Sequence, residues 1–285
     1  MNEDKINLVT ARLKEILGSP QTEFSDIFNH ILLSQGKLIR TRFSLLCCEK
    51  KVKAPGDRLI NSLCAIEILH LATLIHDDII DGSSLRRGLP SVPCKFGQRD
   101  AVLAGDYLFT LCFSLISESF YELTPYFAKA ISLICLGEMK QNQNLYNYDL
   151  TFRQYIKIIS GKTAALFSLS SAVSGKFSDC SRRDFTRLVN LGHKTGILFQ
   201  INDDINDFSC TAIDGKPIGL DRECGVVTLP DILSDNLTEG LLRARKISDL
   251  YLTKVQDLSK QCDVDISPII ESLPQKATGK CHCYL

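Results

Sequence analysis

The sequence predicts an all-α protein, a single large helical bundle domain spanning residues 1–285. Three observations carry that expectation. Apolar residues recur at helical spacing nearly everywhere, so successive segments present the stripe that a helix buries. No set of segments alternates apolar and polar residues with the period of two that half-buried strands require. Hydrophobic residues make up 45% of the chain, ample for a sizeable core, and no Pro/Ser-rich linker or low-complexity tract divides it. About ten or more helices around a central bundle satisfy this pattern.

The elements follow in order. RLINSLCAIEILHLATLIHDDIID, from Arg58 to Asp81, contains no Gly or Pro and is apolar on most sides. It reads as a helix buried over most of its surface, ended by Gly82 and two serines. Further helices fit Gln98–Glu118, Pro125–Asn144, Phe152–Ser174 and Arg182–Asp207. Loop signals fall at Lys53–Asp57, Gly82–Pro93, Gly175–Ser181 and Ser209–Pro217. The longest apolar runs fall short of the roughly 18 residues of a membrane span, so no integral membrane segment is expected. Lys+Arg 33 balance Asp+Glu 33, which gives no bulk charge for nucleic acid or an anionic membrane surface.

The chain has twelve cysteines, but MNEDKINLVTARLKEIL does not read as a signal peptide. The expectation is a reduced, cytoplasmic protein whose cysteines are mostly small apolar fillers. Neither the adjacent Cys47-Cys48 nor the tail pair Cys281 and Cys283 has the C-x-x-C spacing of a zinc ribbon. The ending HCYL has His where a prenylation signal needs Cys.

Two short segments carry the chemistry: LIHDDIID and FQINDDINDF. Positions i, i+1 and i+4 of a helix lie toward one side, so Asp77, Asp78 and Asp81 are expected to point together. Asp203, Asp204 and Asp207 repeat the spacing. Like charges so placed repel, and desolvating them on apolar helices is costly unless a cation neutralises them. All-oxygen donors select hard ions such as Mg²⁺, which keeps waters and shares its shell with substrate phosphates. The EF-hand ligand pattern and its Gly are absent, which disfavours a calcium loop. Lys37 and Arg40 lie upstream of the first triplet, Arg86 and Arg87 follow it, and Lys162 and Lys216 flank the second. Together these bases and carboxylates describe a pocket for phosphate oxygens, metal-bridged on one side and ion-paired on the other.

In these motifs the chain resembles the trans-polyprenyl diphosphate synthase family, over roughly Gly36 to Pro230. The resemblance rests on both DDxxD segments, the RRG after the first, LAGD (Leu103–Asp106), GKT (Gly161–Thr163), FQINDD and GKPIGLDRECGVVTLP. It implies an all-α fold of the isoprenoid synthase type, usually homodimeric. It also implies about three Mg²⁺ ions per active site with substrate bound. The reaction implied is head-to-tail condensation of isopentenyl diphosphate with an allylic prenyl diphosphate.

By the same resemblance Asp77 and Asp81 match the main metal ligands of the first motif, supported by Asp78. Asp203 matches the second-motif ligand, with Asp204 and Asp207 outer-shell or water-mediated. Arg86, Lys162 and Lys216 match contacts to the allylic diphosphate. Lys37, Arg40, His70 and Arg87 match the isopentenyl diphosphate site. Thr163, Gln200 and Gln141 match polar positions near the reacting carbons or the metal shell. Two departures stand out. The family usually has Gly-Gly-Lys and Arg-Pro where this chain has Gln35-Gly36-Lys37 and Arg40-Thr41, so local backbone differences are expected. After Pro230 the match weakens, which predicts missing or rearranged C-terminal helices.

Ala72 and Thr73, one turn before Asp77, are the expected floor of the product channel. Neither is a large aromatic, which favours a medium- or long-chain product beyond farnesyl. Phe127, Ile131 and Ile134 are candidates for a deeper floor. A geranyl, farnesyl or geranylgeranyl product is the short-chain alternative, and a catalytic subunit of a heterodimeric synthase is another. A class I terpene cyclase would not need Lys37, Arg40, His70 and Arg87. A non-catalytic subunit should have lost motif members, and both triplets are complete.

Overall fold

The computed structural model describes residues 3–18, 23–33, 36–208, 222 and 224–273. They form two compact units: Met1–Phe127 with Val173–Cys180, and Ala128–Ala172 with Ser181–Leu285.

The first unit holds α1 (Glu3–Leu17), α2 (Ser25–Leu33), α3 (Ile39–Cys48) and α4 (Asp57–Ile80). A small hairpin, β1 (Leu85–Arg86) and β2 (Leu89–Pro90), leads into α5 (Val92–Phe96) and α6 (Gln98–Phe120). α4 matches the expected helix to within a residue at each end. It packs chiefly against α6, with α1, α3 and α5 around it. Arg58, at the start of α4, donates from Nε to Ser119 O at the end of α6, 2.9 Å away. Near the other end of the pair, a Cβ on Gly105 of α6 would lie 2.2 Å from His76 Nε2. The two helices are therefore antiparallel, and the glycine allows their close approach. Leu63, Ile66, Leu69, Leu108 and Ile116 form the fully buried seam. Cys64 and Cys112 fill the same core, and burial pushes both thiols up to about 12. These two are the apolar fillers the sequence anticipated.

Two stretches, Asp57–Ile80 and Gln98–Asn142, are long and apolar enough by length and composition to cross a membrane. This corrects the expectation that none is. A core helix passes the same test: 67% of the apolar window in α4 is buried inside the protein.

The second unit holds most of α7 (Thr124–Asn142), α8 (Phe152–Lys162), part of α9 (Ala164–Phe177) and α10 (Arg182–Asp207). It also holds α11 (Leu229–Leu233), α12 (Leu237–Cys262) and α13 (Ser267–Ser272). α8 starts with a capping box between Thr151 and Gln154, and α10 with Ser181 accepting from the Asp184 N–H. The single helix expected over Phe152–Ser174 is two helices, broken at Thr163. The cause is tertiary. Gly161 lies against α7 so closely that a Cβ would meet Leu133 O at 2.5 Å. Thr163 Oγ1 then donates to Gln200 Oε1 of α10 at 2.5 Å. Beyond Pro230 the described residues hold two further helices, α12 and α13. α12 is 26 residues long and packs along α10, where Ser248 Oγ donates to Asn202 Oδ1 at 3.2 Å.

Candidate active site

The first acidic triplet ends α4. A helix C-terminus carries partial negative charge, so this end favours cations. The three carboxylates do not share one environment, which corrects the expectation that they point together. Asp78 is 3% exposed and accepts at Oδ1 from both Nε and Nη2 of Arg86, with Nε at 2.9 Å. Asp77 is half-buried, and Asp81, the C-cap residue, is exposed. One residue step turns a side chain about 100° around the helix, so Asp78 faces inward while its neighbours face out.

The hairpin then presents the arginines. Leu85 pairs with Pro90 and Arg86 with Leu89. Arg87 and Gly88 form the turn, with φ 51° and 78°. Positive φ at both central residues is the signature of a type I′ turn, which suits hairpin twist. The exposed Arg87 guanidinium lies over Gly36, where a Cβ would come within 2.5 Å of Nη2. The Gly of Gln35-Gly36-Lys37 is thus explained by clearance, while Gln35 lies outside the described residues.

Behind this surface sits a cationic cluster. His70 is half-buried, and its Nδ1 is buried with no hydrogen-bond partner among the described residues. Burial, then the charges of Arg40, Arg87 and Arg86, hold its pKa well below the ordinary histidine value. Burial lowers Arg40 to about 10, opposed by the Glu67 carboxylate. Glu67, 4% exposed, accepts at Oε1 from Thr41 Oγ1 at 2.6 Å and Thr41 N at 3.1 Å. The second hydrogen bond needs an N–H that a proline could not provide. Lys37 is exposed. Ala72 is fully buried, and the half-buried Thr73 donates its hydroxyl to His70 O at 2.8 Å.

In the second unit the second triplet ends α10 and divides the same way. Asp203 is exposed, Asp207 is half-buried and Asp204 is 4% exposed. Asp204 Oδ2 accepts from Tyr155 OH at 2.7 Å and Leu229 N at 3.0 Å. Its Oδ1 accepts from Gln200 Nε2 at 2.9 Å. The buried carboxylate thus ties α8, α10 and α11. Burial, followed by the Asp204 charge, holds the Tyr155 phenol well above its ordinary pKa, so it stays a donor. Gln200 passes the network on to Thr163. Lys162 ion-pairs with Glu138 at 2.8 Å, one turn before Gln141 on α7. Lys216 lies outside the described residues.

Sequence reasoning missed Glu67, Tyr155 and Glu138. Glu67 and Glu138 did leave a signal: each is a carboxylate flanked by apolar residues in the interior of a helix. Tyr155 left none.

The donor chemistry fits a hard divalent ion. Asp77 with Asp81, and Asp203 with Asp207, offer carboxylates one turn apart at helix C-termini. Among the described residues no three His, Cys, Asp or Glu groups close on one metal position. That suits an ion that completes its shell with water and phosphate oxygens.

A sequence model of the polyprenyl synthetase family matches residues 21–260. Heptaprenyl diphosphate synthase component 2 of Geobacillus stearothermophilus is 34% identical over 245 residues, covering 85% of this chain and 76% of that protein. The crystal structure of heptaprenyl diphosphate synthase from Staphylococcus aureus superimposes with TM-score 0.80 at 28% identity, covering 96% of this chain and 93% of that one. A polyprenyl synthase from Caulobacter crescentus, solved with calcium and isoprenyl diphosphate, gives TM-score 0.77 at 25% identity over 95% and 90% of the two chains.

Proposed function

The chain belongs to the polyprenyl synthetase family, and we propose that it condenses isopentenyl diphosphate head-to-tail with an allylic prenyl diphosphate. The observation that carries this reading is the pair of arginines, Arg40 and Arg87, whose charges act on His70 beside the first acidic helix end. A diphosphate ionisation alone would not need it, and an enzyme that holds a second diphosphate does. The calcium and isoprenyl diphosphate of the Caulobacter protein support the same assignment.

In this mechanism Asp77, Asp81 and Asp203 would hold Mg²⁺, which would supply Lewis-acid neutralisation of the departing diphosphate. Arg86, Lys162 and Lys216 ion-pair with the allylic diphosphate, while Asp78, Asp204 and Asp207 orient the acidic helix ends. Lys37, Arg40, His70 and Arg87 bind isopentenyl diphosphate and hold its double bond near the allylic carbon that loses diphosphate. Thr163, Gln200 and Gln141 line the reacting end. Apolar helix walls exclude water from the cationic intermediate. As the C–O bond to diphosphate breaks, the isopentenyl double bond attacks the allylic carbon and leaves a cation on the isopentenyl unit; a proton from the carbon next to that cation passes to the released diphosphate and restores a double bond.

We read residues 1–285 as one catalytic domain of a cytoplasmic homodimer using about three Mg²⁺ ions. Ala72 and Thr73 set the channel floor and allow a medium or long product. A second reading comes from the Geobacillus relative, which is a component 2: the chain is then the catalytic member of a heterodimer. The test is purified protein with Mg²⁺, farnesyl diphosphate and labelled isopentenyl diphosphate, with products sized by reversed-phase chromatography. A ladder beyond the primer establishes elongation. No incorporation with farnesyl, geranyl or dimethylallyl primers sinks the stand-alone synthase and turns the search to a partner subunit.

A further inference from the structure

His30 lies outside every motif used so far. It sits on α2 and is 6% exposed. Both ring nitrogens are engaged. Nε2 is 2.8 Å from Pro90 O, and Nδ1 is 3.1 Å from Lys95 Nζ. These partners fix the tautomer. A carbonyl only accepts, so Nε2 carries the hydrogen, and an ammonium only donates, so Nδ1 is the acceptor. The Phe96 ring packs edge-on against the imidazole at 5.6 Å.

The two contacts bracket the end of the arginine hairpin. Pro90 closes β2 opposite Leu85, and Lys95 lies one turn into α5. Other contacts hold the hairpin at its base or its first strand: Arg86 to Asp78, Ser91 Oγ donating to Ser83 O at 2.5 Å, and Ser91 N–H donating to Ser84 O at 2.9 Å. The His30 contact adds a tie from the end of the second strand to a separate element, α2. That element is itself anchored, because Phe28 of α2 packs on Tyr107 of α6 with ring centroids 5.7 Å apart. Arg87 needs such support, since a non-glycine residue at φ 51° is held by its surroundings rather than by its own preference.

We infer that His30 is a positioning residue for the arginine hairpin, holding Pro90 against α2 so that Arg87 keeps its turn conformation beside Gly36 and His70. The inference rests on the reading of Arg87 as a diphosphate-binding group. Gln is the conservative replacement: its amide N–H donates to Pro90 O and its carbonyl accepts from Lys95.

The experiment measures two quantities on the full chain. One is calorimetric affinity for isopentenyl diphosphate, which does not react without an allylic partner. The other is amide hydrogen exchange over 85–91. His30→Ala should weaken binding roughly three- to tenfold, the loss of one positioned hydrogen bond. It should speed exchange in the hairpin while α4 stays protected. His30→Gln should restore both. Lys95→Met, an exposed change that spares the core, should show a smaller loss of the same kind. Faster exchange with unchanged affinity would reduce His30 to a structural residue and overturn the proposal, as would unchanged exchange. Wild-type protein that binds no isopentenyl diphosphate would instead overturn the functional reading of the arginines, and exchange would still judge the clasp.

Discussion

Asp203 and Asp204 are adjacent, yet one carboxylate faces solvent and the other satisfies three donors in the interior. Their substitution by Asn should therefore fail in different ways. Asp203→Asn should keep its unfolding midpoint and lose turnover by about two or more orders of magnitude, as expected for a metal ligand. Asp204→Asn leaves Tyr155 and the Leu229 N–H competing for poorer acceptors and should cost about 2–4 kcal/mol of stability. Denaturant titration beside a turnover assay separates the two. Equal stability losses would sink this division of labour. His70 gives a pH prediction. Its folded pKa lies below the unfolded value of about 6.5, so the unfolded chain binds the extra proton. Its contribution to stability is complete above about pH 6.5 and fades as pH falls toward the folded value. His70→Gln should flatten the loss of stability between about pH 7 and pH 5. A bulky aromatic at Thr73, half-buried one turn before Asp77, should shorten the product ladder. Thr73→Tyr giving full-length product would move the floor elsewhere.

Among elements, the helices that carry a continuous apolar pattern were legible almost to the residue. Arg58–Asp81 was expected and Asp57–Ile80 is found, and Arg182–Asp207 agrees at both ends. The break at Thr163 was not legible, because the one nearby breaker, Gly161, is tolerated inside helices and no Pro follows it. It arises where α8 meets α7 and α10, and contacts made across the fold leave no local pattern. The acidic triplets show the same limit. Their spacing announced cation chemistry, but which carboxylate turns inward depended on Arg86 and Tyr155, whose roles are set by distant packing. The α7–α8 contact is testable. Gly161→Ala would set a Cβ 2.5 Å from Leu133 O, a backbone atom that cannot swing away. The expected cost is about 1–3 kcal/mol of stability, seen as a lower denaturant midpoint. Turnover should fall too, because the next residue is Lys162.

For the molecule as a whole, metal and diphosphate should act as one ligand. Each acidic helix end supplies oxygen donors, yet among the described residues no site gathers three protein groups on a metal. Mg²⁺ alone thus keeps most of its water and should bind weakly. Inorganic diphosphate alone would be attracted by the arginines and lysines and repelled by the carboxylates of the triplets. Together each completes the other's shell. Whatever binds only the folded chain raises its stability, by about 2.7 kcal/mol at a hundredfold excess over Kd. For a chain of this size that is a Tm increase on the order of 5–10 °C. Thermal unfolding with Mg²⁺, with diphosphate, with both, and with both plus a chelator should show a large shift only in the third condition. A large shift with diphosphate alone, kept when the chelator is present, would mean that the basic residues bind phosphate unaided. The carboxylates of both triplets would then need another explanation.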